Sequence, residues 1–171
     1  MAVSLSMSAS YPVKYLPPGL TPRDRKTQKA MLQKSRKMYK KGKYYTRKRV
    51  PSYSHTTSKH IKKALKMYPG ITRIVPSHEL AKKTGCYVNA LSAIVKKGEG
   101  AYYSSGSRPN QTAQSWGYAR LASAITGGKS AAIDFHILEK GCSHNGKAYR
   151  LGLTAVKNVD RTRRVPHTAL H

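Results

Sequence analysis

Carboxylates are scarce in this chain: Asp and Glu together number 6 in 171 residues, against 33 Lys and Arg, for a formal charge of +27. So few acids leave little material for carboxylate acid–base chemistry, and no Ser/His/Asp or Cys/His set stands out, so the sequence reads as non-catalytic, with no cofactor and no small-molecule substrate. Self-repulsion at this charge opposes compaction, which makes an acidic partner part of the expected working state. The 2 cysteines, Cys86 and Cys142, form no framework spacing. They read as two thiols of a reduced or intracellular chain. Paired close spacings of a structural zinc site are also missing around Cys142, His144 and His136, or around His78 and Cys86. Phe and Trp occur once each, Phe135 and Trp116, whereas Tyr occurs 12 times. Tyrosine suits half-wet surfaces, where the ring is covered and the hydroxyl reaches a partner, so this bias favours interfaces over a deep core. No long apolar run is present, and the opening MAVSLSMSAS lacks a basic leader region, so it reads as neither a membrane span nor a secretory signal.

What is abundant is unevenly placed. Residues 1–66 carry 18 basic residues and one acid, and residues 67–171 carry 15 and five. Length allows one core. The expected architecture is mainly α: a small helical domain with extended basic N- and C-terminal arms and at most a minor two-stranded sheet. Residues 1–20 read as an extended Pro-rich arm, 21–55 as a basic amphipathic helix and linker, 56–142 as the helical core, and 143–171 as a short strand and basic tail. The arms (1–20 and 157–171) have too little apolar surface to offset their ordering entropy, so they are expected to order only in an assembly.

Within that plan, Thr21 supplies an N-cap, Pro22 a first helical position, Asp24 an acid near the positive helix end and Gly42 a stop. Thr27, Gln28, Met31, Leu32, Ser35, Met38 and Tyr39 share one arc of this helix. Arg25, Lys26, Lys29, Lys34, Arg36, Lys37, Lys40 and Lys41 form a basic, anion-binding face. Ser58 opens a second helix ending at Pro69 and Gly70. Residues 71–75 are β-branched and strand-like, and are expected to pair with 149–156. Helices are expected over 77–85 and 87–97, stopped by Gly98, then over 112–125, and over 130–140 with Ser130 as its cap, while 101–111 has too many turn formers for regular structure. Trp116, alone in a helical apolar pattern, is expected to face the core.

Two motifs invite functional readings. Glu79 to Cys86 followed by Leu91 and Ile94 has the pattern of a helix-turn-helix: small Ala81 at the crossing, Gly85 at a left-handed turn, and apolar residues packing back. Asn89, Ser92, Lys96 and Lys97 would then face a DNA groove. An αα-corner satisfies the same constraints without DNA. Gly127, Gly128, Lys129 and Ser130 do not complete a phosphate loop, because Ser123 stands where a Gly is needed and no strand precedes.

Residues 101–128 combine rigid rings with fork-shaped and amide donors: Tyr102, Tyr103, Arg108, Asn110, Gln111, Tyr118 and Arg120 are the candidate protein-interface residues. The runs YYSSGSRPNQT, QSWG and ARLASAITGG, with KKTGC and IVKKG before them, HILEKGC after them and KSRKMYKKGKYYTRK upstream, resemble an uncharacterised domain family of nucleocytoplasmic large DNA viruses, such as those of algae. The resemblance covers roughly residues 14–142 and leaves the chain from Ser143 onward outside. It implies the context of a large icosahedral double-stranded DNA virus. The expectation is a virion minor capsid protein, made in the host cytoplasm and placed on the inner face of the capsid. Its expected partners are the major capsid protein and other minor capsid proteins, with nonspecific DNA or an anionic membrane surface as further partners. The alternative is a basic DNA-binding protein for genome condensation or packaging.

Overall fold

The computed structural model describes residues 11–158 and 167–168. The chain is mainly α, with eight helices among the described residues: α1 Pro22–Lys40, α2 Lys59–Met67, α3 His78–Thr84, α4 Val88–Ser104, α5 Ala113–Ile125, α6 Lys129–Ile133, α7 Phe135–Gly141 and α8 Lys147–Asn158. Local chemistry sets several boundaries. Thr21 Oγ1 accepts from the Asp24 amide and Pro22 occupies the first turn of α1, as its sequence predicts. Ser77 caps α3. Thr112 and Ser115 form a reciprocal capping box on α5.

At the centre, α4 lies against α5; α1 and α7 pack on α4, and α2, α6 and α8 on α5. Leu80, Leu91, Ile94, Leu121, Ile125 and Leu138 are fully buried in one cluster. Each contributes about 1.5–3 kcal/mol of apolar burial. The Tyr68 hydroxyl donates to the Ile125 carbonyl, tying α2 to α5, and burial pushes its pKa up. Gly98 faces Gly117 at the α4–α5 crossing, where a Cβ on Gly98 would stand 2.5 Å from the Gly117 Cα. Gly98 is therefore a crossing residue and not the expected stop, and α4 runs on through residues 101–104, which the sequence reading placed in an irregular segment.

Further corrections concern the strands, the cysteines and the arm. Residues 71–75 are irregular, with Ile71 and Ile74 buried, and 149–156 belong to α8. The buried residues of α8, Ala148, Gly152 and Ala155, recur at helical spacing. Antiparallel pairing instead joins β1, Tyr11–Pro12, to β2, His167–Thr168. Cys86 and Cys142 form a disulfide across an antiparallel bridge, which replaces the reading of two thiols. The helix expected over 130–140 divides at Asp134 into α6 and α7, and Gly128, not Ser130, is the cap residue of α6. Residues 11–20 fold onto the domain without a partner: Tyr11, Tyr15 and Leu16 are buried with Leu32 of α1 in a second small cluster. Trp116 is half-buried against that cluster, edge-on to Tyr15 at 6.0 Å, and not in the main core. Residues 1–10, 159–166 and 169–171, including most of the expected basic tail, lie outside the described residues.

Candidate interaction surface

Amphipathic α1 buries Gln28, Met31, Leu32 and Ser35 and turns its cations outward. The eight predicted cations divide by what they touch. Arg25 Nη1 donates to the Leu16 carbonyl at 3.0 Å and so holds the N-terminal segment. Arg36 donates through Nε and Nη2 to the Ser105 carbonyl at 3.0 and 2.8 Å, with its guanidinium 4.0 Å from the Tyr11 ring centre. Lys34 Nζ sits 4.5 Å from the Tyr45 ring centre. Lys26, Lys37, Lys40 and Lys41 are exposed, and Lys29 is half-buried. None of the eight meets a carboxylate among the described residues, where the ion pairs run from Lys97 and Arg120 to Asp134. Asp24 faces the other way: hydrogen bonds from the Ser52 hydroxyl and amide hold its carboxyl below the usual carboxylate range.

The linker after α1 is fixed by a residue that the sequence did not single out. Arg47 is 7% exposed and has no acidic partner among the described residues. Its Nη1 donates to Ser35 Oγ and the Tyr102 carbonyl, each at 2.8 Å, and its Nη2 to Ser107 Oγ at 2.8 Å, while the Tyr102 hydroxyl accepts from the Arg47 amide at 2.9 Å. The guanidinium lies 3.8 Å from the Tyr102 ring centre. Neutral acceptors and a ring face thus satisfy a buried cation without neutralising it. Burial draws its pKa down, and nearby tyrosines act against that. Nothing in the sequence separates Arg47 from the twelve other cations between Arg23 and Arg49.

Asn110, at φ 62°, completes the clamp: its Oδ1 accepts from the Val50 amide at 2.7 Å and its Nδ2 donates to the Val50 and Tyr53 carbonyls. The other candidate interface residues are equally specific in placement. Tyr102 is buried, and burial raises its pKa. Gln111 Oε1 accepts from Ser115 Oγ. Tyr118 is half-buried against the main core. Arg120 makes a two-pronged pair with fully buried Asp134, Nε to Oδ2 at 2.7 Å and Nη2 to Oδ1 at 2.8 Å. Arg108 is exposed and Tyr103 half-exposed. Tyr103 packs at 4.8 Å from Tyr44, which in turn lies 6.3 Å from Tyr39. The structure therefore brings Tyr103 together with the far end of α1 and leaves Arg108 apart from it.

The α3–α4 corner has the expected left-handed Gly85, φ 79°. Asn89 and Lys96 are exposed and Ser92 half-exposed on α4, whereas Lys97 reaches Asp134 at 3.3 Å and His136 at 3.4 Å. The corner is pinned from behind by the Cys86–Cys142 disulfide and by the Tyr87 and Ser143 amides, which donate to the Gly141 and Gly85 carbonyls at 2.8 and 2.7 Å. Among the described residues no three His, Cys, Asp or Glu side chains gather into a metal-ligating group, and no helix is long and apolar enough to cross a membrane.

Residues 12–138 match the model of a family of unknown function, DUF5824. The chain belongs to that family. No curated protein and no solved structure matches it. The DUF5824 match takes in the cationic α1, the Arg47 and Asn110 clamp, the α3–α4 corner and α5. It ends inside α7, so α8 and Cys142 lie beyond the DUF5824 boundary although α8 packs on α5, α6 and α7.

Proposed function

We propose that this protein is a structural minor capsid protein of a large icosahedral double-stranded DNA virus, seated on the inner face of the shell and tying capsomers together, with no catalytic role. The observation that carries the reading is the α1 face: Lys26, Lys29, Lys37, Lys40 and Lys41 project along about 22 Å of rigid helix without a carboxylate partner among the described residues. A row of this kind is complementary to an acidic protein face, and its desolvation is favourable where such a face supplies the missing carboxylates. Support also comes from the resemblance of the 101–128 runs to proteins of large DNA viruses and from the clamps that hold α1 rigid through Arg25, Arg36 and Arg47. Several weak contacts to neighbouring capsid proteins, made by one tethered chain, multiply in strength.

A second reading, a DNA-binding protein for genome condensation or packaging, is favoured by Asn89, Ser92 and Lys96 standing on one side of α4 after the Gly85 turn. Charge reversal at Lys37, Lys40 and Lys41 separates the two when combined with Asn89→Ala. Under the capsid reading, the reversed protein is absent from purified particles while Asn89→Ala is incorporated normally. A preferred DNA sequence that survives at 200 mM salt and is lost in Asn89→Ala supports the second reading instead.

A further inference from the structure

The far end of α1 carries a feature that contact with acidic protein does not require. Tyr44 is 69% exposed and Tyr39 39% exposed, and their ring centres are 6.3 Å apart. Tyr87, at 74%, is also open, but among the described residues only Tyr39 and Tyr44 stand open as a neighbouring pair of rings beside a run of cations. They are also firmly founded. Tyr44 rests on Tyr103 at 4.8 Å, Tyr103 meets buried Tyr102 edge-on at 5.1 Å, and Tyr102 is locked by the Arg47 amide and guanidinium. Rings held in this way lose little freedom when a ligand covers them. In sequence the two rings are flanked by exposed Lys37, Lys40, Lys41 and Lys43, and residues 25–78 contain no Asp or Glu.

We propose that the Tyr39, Tyr44 and Tyr103 platform, with its flanking lysines, binds single-stranded nucleic acid by stacking unpaired bases on the exposed rings while the lysines follow the phosphates. Carboxylates need cations but gain nothing from a flat, exposed ring face, whereas bases need both the ring and the backbone charge. A duplex hides its base faces in its own stack, so the platform fits an unpaired strand. The inference shares Lys37, Lys40 and Lys41 with the capsid reading, and Tyr44→Ala, which leaves those lysines in place, tests the ring platform separately from the capsid reading.

The test is fluorescence anisotropy on the full-length protein at 150 mM salt, with a labelled 12-nucleotide oligothymidylate, an abasic strand of equal phosphate count, and a 12-base-pair duplex. The expected result is tightest binding to the oligothymidylate. Tyr44→Ala should weaken it by roughly 5- to 100-fold, with an unchanged melting temperature. Tyr44→Phe should retain affinity, and the abasic strand should bind weakly and without regard to Tyr44. The proposal is overturned if the duplex or the abasic strand binds as tightly as the oligothymidylate, if Tyr44→Ala leaves affinity unchanged, or if polyglutamate of equal charge displaces the strand as readily as unlabelled oligothymidylate does.

Discussion

Replacing Gly98 and Gly100 by alanine, one at a time, tests the central crossing of the fold. Both lie within α4, two residues apart. In a helix with room for the methyl group, Gly→Ala is stabilising by about 1 kcal/mol. Gly100 has that room, with nothing within 4 Å of an added Cβ. At Gly98 the same Cβ would stand 2.5 Å from the Gly117 Cα and 3.2 Å from the Arg120 Cβ. Ordinary carbon contacts begin near ~3.5 Å, so α4 and α5 must part by about 1 Å. The obstruction is backbone and cannot rotate away. Overpacking of this kind costs about 3 kcal/mol, which leaves a net loss of about 2 kcal/mol after the helix propensity gain. For a chain of this size Gly98→Ala should lower the midpoint by about 4–8 °C and Gly100→Ala raise it by about 2–4 °C. Thermal melts followed by circular dichroism, with urea titrations to confirm unchanged m-values, read the contrast directly. If both substitutions raise the melting temperature, the close α4–α5 crossing is wrong.

Three further outcomes follow from the same structure. Reduction, or paired Cys86→Ser and Cys142→Ser, releases a link spanning 56 residues, which by loop entropy lowers stability by about 4 kcal/mol; the two flanking backbone hydrogen bonds should preserve the helical spectrum, and added reductant should not affect the double variant. Arg47→Met takes the donor from the Tyr102 carbonyl and one partner each from Ser35 and Ser107, whose hydroxyls still donate to the Tyr103 and Arg108 carbonyls, and should cost about 1–3 kcal/mol in urea denaturation, with Arg47→Lys failing to restore it because one ammonium cannot reproduce the fork. His60 is exposed, yet partial desolvation by its neighbours, and then the charges of Lys14, Arg108 and Lys63, holds its imidazole below the usual 6.5. The unfolded chain therefore takes up this proton first, and stability should decline as pH falls below about 6.5; an NMR titration should place His60 below that value, and His60→Gln should flatten the decline.

Where side-chain periodicity and capping agree, as in α1 with Thr21, Pro22 and the Met31 and Leu32 face, helix limits and exposed cations could be read from sequence. Ser77, Gly85 and Thr112 likewise mark true turns and caps. Elsewhere tertiary context decided. Ala148, Gly152 and Ala155 are small, so the helical spacing of α8 was masked by the alternation of Tyr149, Leu151 and Leu153. Gly98 carries the mark of a stop but serves a helix crossing, a role defined by Gly117 nineteen positions away. The cysteine bond depends on bringing the α3–α4 corner to the end of α7, which no local spacing encodes. In the candidate surface, residue type does not tell internal from external partners: Asn110 and Arg120, expected at an interface, bond within the fold, while Tyr44, outside the predicted set, stands exposed. Arg47 is invisible in a run of like charges because its distinction is burial.

The central claim is that this chain belongs to a particle's shell and not to its genome. Quantitative comparison of the proteins in full particles with those in emptied, nuclease-treated particles measures that directly. Retention in the emptied particles at an unchanged ratio to the major capsid protein is the predicted result. Loss in proportion to the removed DNA, or absence from both preparations, would contradict it.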